Sequence, residues 1–376
     1  MPQFSSDERQ LLHDSVQDFF ANQYSFEQFR ELSAASHESG FSQDAWRQYG
    51  ELGWLGVAAP ETVGGTGAGL TELAIIMAGA GSALAMEPLL SSTVLAGGAL
   101  DLVASPDQAH HLDTVISGEK IWAFCHAEPD GGYAREYVTC LATESTEGYV
   151  LDGQKTFALH AQAADQLIVT ARLGDANGPV SLFVVPSDSE GLSRHAAPSL
   201  DERRGASLIL DGVSVSADAM LGQAGHDQTE AVNAVLDRGV LAVCAEACGA
   251  MTAVTEQTVE YLKVRKQFGQ PLAKFQVLQH RLVDMNVSCE EARAATHAAL
   301  TAADNNEPNA RTKIWRAKVQ VGRSARYVGS QAVQLHGGMG MTDELAIGHY
   351  YKRLSMCESL FGDADWYLRQ LANRLD

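Results

Sequence analysis

Three groups of residues in this chain have types and spacings that could do chemistry. The first is the glycine-rich stretch at residues 64–69, which invites a phosphate-binding reading. It fails the context test, because it follows no strand, lacks GxGxxG spacing and precedes no Lys-Ser/Thr pair; it reads as a plain loop. The second is the set of six cysteines, at positions 125, 140, 244, 248, 289 and 357, which show no paired metal spacing. Cys244 and Cys248 lie one helical turn apart in an Ala-rich run and read as small core residues. No metal site is expected, and free thiols in a reducing cytoplasm are the simplest expectation. The third is Arg265, within residues 261–269, together with Gln334 and the pair Gly337-Gly338. A guanidinium is a forked cationic donor that suits a pyrophosphate, the plainer alternative being a carboxylate at a helix end. A Gly-Gly pair permits close backbone approach to a bound group.

The elements that must position these residues fall into three zones. Ser5 and Glu8 have capping-box spacing, and Leu11, Leu12, Val16, Phe19 and Phe20 follow at helical period. Helices are also expected over residues 43–52 and 71–79. Near Ile121 the character changes: residues 137–143, 166–173 and 180–186 are β-rich, and Asp152-Gly153 and Asp211-Gly212 read as turns between strands. Beyond Asp227 the pattern is helical again. Phe275, Leu278, Leu282 and Met285 mark one apolar face of a long helix, and a polar break at 304–308 precedes another helix over 310–336. The expected fold is α+β but mainly α. It comprises an N-terminal helical domain (1–120), a middle β-barrel or sandwich domain (121–225) and a C-terminal helical bundle (226–376).

Composition sets outer limits. With 45% apolar and 20% charged residues the chain reads as a globular protein. A net charge of -20 argues against nucleic acid or an anionic membrane as partner, while leaving room for a local basic pocket that binds a small anion. No apolar run approaches the roughly 20 residues that span a bilayer, and the start MPQFSSDERQLL lacks the pattern of a signal peptide.

The order of zones and four motifs resemble the acyl-CoA dehydrogenase family. The motifs are GELGWLGVAAPETVGGTG (50–67), FCHAEPDGG (124–132), YLKVRKQFGQPLAKFQVLQHRLVDM (261–285) and QLHGGMGMTDE (334–344). The resemblance implies a flavoprotein that uses flavin adenine dinucleotide (FAD) to dehydrogenate an acyl-CoA thioester, with an electron-transferring flavoprotein as the usual acceptor. It also implies that Arg265, Phe268, Gln334, Gly337 and Gly338 reach an FAD held mainly by a neighbouring subunit. Phe124, Ala127 and Phe157 would lie on the segments that face the flavin of their own chain.

The resemblance breaks at the chemistry. The family's reaction needs a carboxylate to take the α proton. At the two places where members carry that Glu, this chain has Phe361 and Gly239. Asp237 is the first substitute to consider and Glu246 the second. The Thr expected before Glu128 is Ala127, and a Trp followed by Thr or Ser becomes Phe157 and Leu159, which removes hydroxyl donors to the flavin ring. These losses, and the ending GMTDELAIGHYYKRLSMCESLFGDAD (340–365), resemble the small subunits of heteromeric acyl-CoA dehydrogenases acting on sterol side chains or dicarboxylyl-CoA thioesters. The expectation is a subunit of a heterotetramer that completes the FAD site of a catalytic large subunit. The alternatives are a self-sufficient homotetramer with a displaced carboxylate, a flavin-free interaction protein, and a flavin enzyme of oxygen chemistry on the same fold.

Overall fold

Ser5 starts the first helix. Its side chain accepts from the Glu8 amide, and the Glu8 carboxylate accepts from the Ser5 amide at 2.7 Å, which closes the capping box. In the computed structural model, which describes residues 5–34 and 39–374, helix α1 runs Ser6–Gln23 and buries Val16, Phe19 and Phe20. Leu11, counted on that same face, is exposed instead. Helices α2 (Phe26–Ser33), α3 (Gln43–Glu51) and α4 (Leu70–Ser82) follow. The glycine stretch before α4 is a loop, as expected, and α4 is capped from a distance. The Asp304 carboxylate accepts from the amides of Leu70 and Thr71, satisfying donors that a helix start leaves open.

A segment that the sequence pattern did not disclose comes next. Leu89–Ala96 forms a π-helix, and every one of its residues is buried, so no amphipathic period marks it. It leads into α5 (Gly97–Val103) and α6 (His110–Ile116).

The β zone is a seven-stranded sheet: β1 (Trp122–Cys125), β2 (Leu141–Ser145), β3 (Gly148–Leu159), β4 (Gln166–Leu173), β5 (Val180–Pro186), β6 (Leu192–Pro198) and β7 (Arg204–Ser216). The order is β1-β4-β2-β3-β7-β6, with β5 paired to β4. β4 and β5 coincide with the predicted segments; two other expectations do not hold. The Asp-Gly pairs are not turns between strands. They face each other within β3 and β7, where the register moves from Leu151↔Val213 to Gly153↔Leu210 and leaves an extra residue on β7. Gly212, at φ +67°, takes the strained position of this bulge and donates to the Asp152 carboxylate at 2.8 Å. The segment 137–143 is a strand only from Leu141 on. The amides of Thr139 and Cys140 are taken by the Glu128 carboxylate, at 2.6 and 3.1 Å, rather than by a neighbouring strand.

Beyond β7 lie α7 (Thr229–Val264), a hairpin of β8 (Lys266–Gln267) and β9 (Gln270–Pro271), α8 (Gln276–Asp304), α9 (Ala310–His336), α10 (Ile347–Ser359) and α11 (Ala364–Ala372). Of the four residues expected to mark the buried face of α8, only Met285 is fully buried; burial continues through Cys289, Ala292 and Thr296, away from the helix start. In all, 56% helix against 17% strand makes the fold mainly α. Contacts divide the chain into two compact units. One gathers Leu32–Ala68 and Met86–Gly239; the other gathers α1 and the start of α2, Gly69–Ala85 and the chain from Val240 on. In the second unit α4 meets α7 backbone to backbone, since a Cβ on Gly249 would collide with the Ala78 carbonyl.

In the first unit, Lys155 is fully buried. Its Nζ donates to Glu128 Oε1 at 2.6 Å, to Thr170 Oγ1 at 3.0 Å and to the His126 carbonyl at 3.3 Å. Lys155→Met would strand the buried Glu128 carboxylate and is expected to cost about 3–5 kcal/mol, measured by urea unfolding. Burial pushes the His126 imidazole down to about 3. Its neutral form therefore contributes stability that is full above the unfolded value of about 6.5 and is lost as pH falls from there toward 3. Burial opposes ionisation of Glu128, but Lys155 and Thr139 outweigh it and hold that pKa down, which adds to the acid loss. His126→Gln should flatten the fall in unfolding free energy between about pH 6 and 4. An unchanged slope would remove His126 from the account.

Candidate cofactor groove

The residues around Arg265 are fixed by the end of α7. The Arg265 amide still bonds back to the Tyr261 carbonyl at 2.9 Å, and its own carbonyl accepts from Leu272 across the hairpin at 2.9 Å. Between β8 and β9 the two-residue loop Phe268-Gly269 has φ of +54° and +80°. Two successive positive φ values belong to the tight hairpin turns whose twist matches the strands. Gly269 adopts this freely; Phe268 does so at a steric cost. Phe268 is not core. It is 89% exposed, with only the Phe275 ring standing edge-on at 6.1 Å.

The second wall is the end of α9. Gly337, at φ +59°, stops the helix, and its amide bonds the Gln334 carbonyl. A Cβ added at Gly337 or Gly338 would meet nothing within 4 Å. Packing within this chain therefore does not require Gly338, and its bare backbone faces open space. His336, just before, is buried and stacks on Tyr261 at 4.2 Å between centroids. Burial lowers the His336 pKa and favours the neutral ring, whose Nδ1 lies 2.9 Å from the Ala332 carbonyl.

Between these walls is a groove of about 530 Å³ lined by Arg265, Gln267, Gln334, Gly337 and Gly338, and by Arg281 from α8. Four of the residues singled out from the sequence thus share one groove, with Phe268 at the tip of the adjoining hairpin. Arg281 was missed, since a lone Arg on a long helix normally signals a solvated face. None of the described residues lining the groove is acidic.

The other expected cofactor residues belong to the first unit. Phe124 is buried in β1, its ring stacked with His126 at 6.1 Å. Ala127 is exposed, and its carbonyl accepts from the Thr156 amide at 2.8 Å, which sets it beside the strand carrying half-buried Phe157.

The carboxylates considered as bases are engaged elsewhere. Asp237 Oδ1 is 2.7 Å from Arg135 Nη1, with both side chains about nine-tenths buried. Glu246 Oε1 is 2.9 Å from Arg353 Nη1, deeper still. Arg353 also donates to the Ala85 carbonyl at 3.0 Å, so it binds α7 and α10 to the chain beyond α4. Phe361 sits at φ +63° in the turn between α10 and α11. The nearest acids there are spent as well, Asp363 on the Trp366 amide that starts α11 and Glu358 on Arg326 at 2.8 Å. Gly239 lies within α7 and offers no side chain.

Comparison with known proteins accounts for this arrangement along nearly its whole length. The descriptions of the acyl-CoA dehydrogenase N-terminal, middle and C-terminal domains match residues 6–119, 123–230 and 229–375. Acyl-CoA dehydrogenase FadE12 of Mycobacterium tuberculosis is 31% identical over 358 residues, 91% of this chain and 89% of that one. The chain belongs to the acyl-CoA dehydrogenase family. Members are FAD-dependent oxidoreductases. Among solved structures similar to it, a variant of the Tcur3481-Tcur3483 steroid ACAD has a TM-score of 0.88 at 27% identity, covering 98% of each chain. The ChsE4-ChsE5 complex of Mycobacterium tuberculosis has a TM-score of 0.89 at 25% identity, covering 100% of this chain and 99% of that one.

The groove fits the diphosphate end of FAD by its donor set. It offers guanidinium and amide donors, unhindered glycine backbone and no competing carboxylate. The ion pairs are testable by themselves. Glu246→Ala leaves Arg353 buried without its counter-charge and is expected to cost about 3–5 kcal/mol in a urea titration. Unaltered stability would mean that the pair is not structural and would return Glu246 to consideration as a base.

Proposed function

We propose that this chain is the non-catalytic subunit of a heteromeric acyl-CoA dehydrogenase and completes the FAD site of a catalytic large subunit. One contrast carries the reading. Arg265, Gln334, Gly337 and Gly338, the residues the family resemblance assigns to FAD across a subunit boundary, line one groove, while the positions the resemblance gives the base are Phe361 and Gly239 and the carboxylates Asp237 and Glu246 are tied in ion pairs. When bound, FAD supplies the acceptor for the hydride leaving the β carbon of the acyl-CoA thioester. Abstraction of the α proton needs a carboxylate close to that carbon, and Phe361 and Gly239 cannot serve. That base then comes from the large subunit.

The part of this chain is to bind and orient. Arg265 grips the pyrophosphate with its fork, Gln334 and the Gly337-Gly338 backbone add hydrogen-bond donors and close approach, and Phe268 covers the cofactor as its exposed ring is buried. On its own flavin-facing side, Ala127 and Leu159 offer no hydroxyl, and Phe124 and Phe157 offer only apolar cover. The similarity to a steroid ACAD and to the ChsE4-ChsE5 complex supports a two-subunit assembly, and the first supports a steroid-type acyl group. An electron-transferring flavoprotein would reoxidise the cofactor.

The visible spectrum and native mass decide between this reading and self-sufficiency. The chain purified alone is expected to be colourless, and to become part of a yellow heterotetramer when produced with a large subunit. In that assembly Arg265→Gln should lower FAD affinity tenfold or more, read by the fluorescence of released flavin. A yellow homotetramer of this chain with one FAD per chain would overturn the proposal and bring back Asp237 and Glu246.

A further inference from the structure

The deeply buried arginines Arg353, Arg135 and Arg203 are charge-compensated, by Glu246, Asp237 and Asp201. The two arginines of the groove are placed differently, Arg265 exposed and Arg281 half-buried. Neither Arg265 nor Arg281 makes an ion pair among the described residues, and the lining holds no acid to neutralise them, although the chain carries 47 acidic residues against 27 basic ones. Arg281 is half-buried, and its hydrogen bond is a long one, 3.4 Å from Nη1 to the neutral Gln331 amide oxygen. Two guanidiniums lining one cleft suit an anion with two charged groups, and the diphosphate of a dinucleotide carries one negative charge per phosphate for each fork to meet.

We propose that Arg281 is a second anion-binding residue of the groove, so that the diphosphate end of the dinucleotide is shared between Arg265, at the end of α7, and Arg281, on α8. The inference rests on the reading of the groove as a cofactor site and adds a residue to it. Arg281 acts by binding and positioning, and it has no part in proton transfer. The competing role is structural, a clasp from α8 to α9 through Gln331.

ADP, AMP and adenosine titrated calorimetrically into the full chain separate these roles, with thermal unfolding run on every variant. The unaltered chain is expected to prefer ADP over AMP and adenosine, with an affinity that falls as salt rises. Arg281→Gln should weaken ADP about tenfold, make the salt dependence shallower and erase much of the preference over adenosine, and Arg281→Lys should restore part of the loss. If Arg281→Gln binds ADP normally while Arg265→Gln does not, the inference falls and the groove reading stands; a lowered melting temperature alone would identify the clasp. If neither substitution matters, or the unaltered chain takes up no ADP at millimolar concentration, the groove reading falls with it.

Discussion

A guanidinium inside a helical bundle is tolerable only when a carboxylate and further acceptors surround it, because stripping its hydration costs several kcal/mol. Arg353 meets that demand by collecting Glu246 from α7 and the carbonyl of Ala85 beyond α4, and so three parts of the chain are fixed at one point. α10, which carries Arg353, packs on α9, and the end of α9 presents Gln334 and the two glycines. The same unit contains the close contact of Gly249 with α4. The groove is thus built where α7 and α9 end, on the hairpin that follows α7 and on the start of α8.

The contrast between this pair and the groove separates two uses of arginine in this chain. Where a guanidinium is matched by an acid, it serves packing and removes that acid from chemistry. Where it is unmatched, it is available to a ligand. Glu246 and Asp237 fall on the first side of this division, Arg265 and Arg281 on the second. On the proposed reading, binding and proton transfer, which a self-sufficient dehydrogenase combines, would be divided between this chain and its partner.

How much of this could be read from the sequence follows the range of the interactions. The capping box at Ser5, strands β4 and β5 and the limits of α9 are local, and local pattern found them. The Asp-Gly pairs were misread because a bulge between two long strands and a turn between two short ones use the same residues; only pairing across the sheet distinguishes them. Residues 139 and 140 were misread because a carboxylate more than ten residues away takes their amides. The π-helix gave no signal, since a segment buried on every side has no polar face to set a period. In the groove, Arg265, Gln334, Gly337 and Gly338 were legible within contiguous motifs. Arg281 and the pairing of Glu246 with Arg353, 107 residues apart, depend on the folded chain.

Phe268 carries a consequence beyond the cofactor. An aromatic ring held at positive φ and almost fully in water is unfavourable both for the backbone and for the solvent. In the proposed assembly it would be cover; in a newly made chain it is an adhesive tip. A cell that made this polypeptide without its counterpart would hold a stock of molecules prone to stick to the wrong neighbours. If the proposed two-subunit assembly holds, the balance of synthesis between its subunits becomes part of the protein's fitness, imposed by a single side chain at the end of a hairpin.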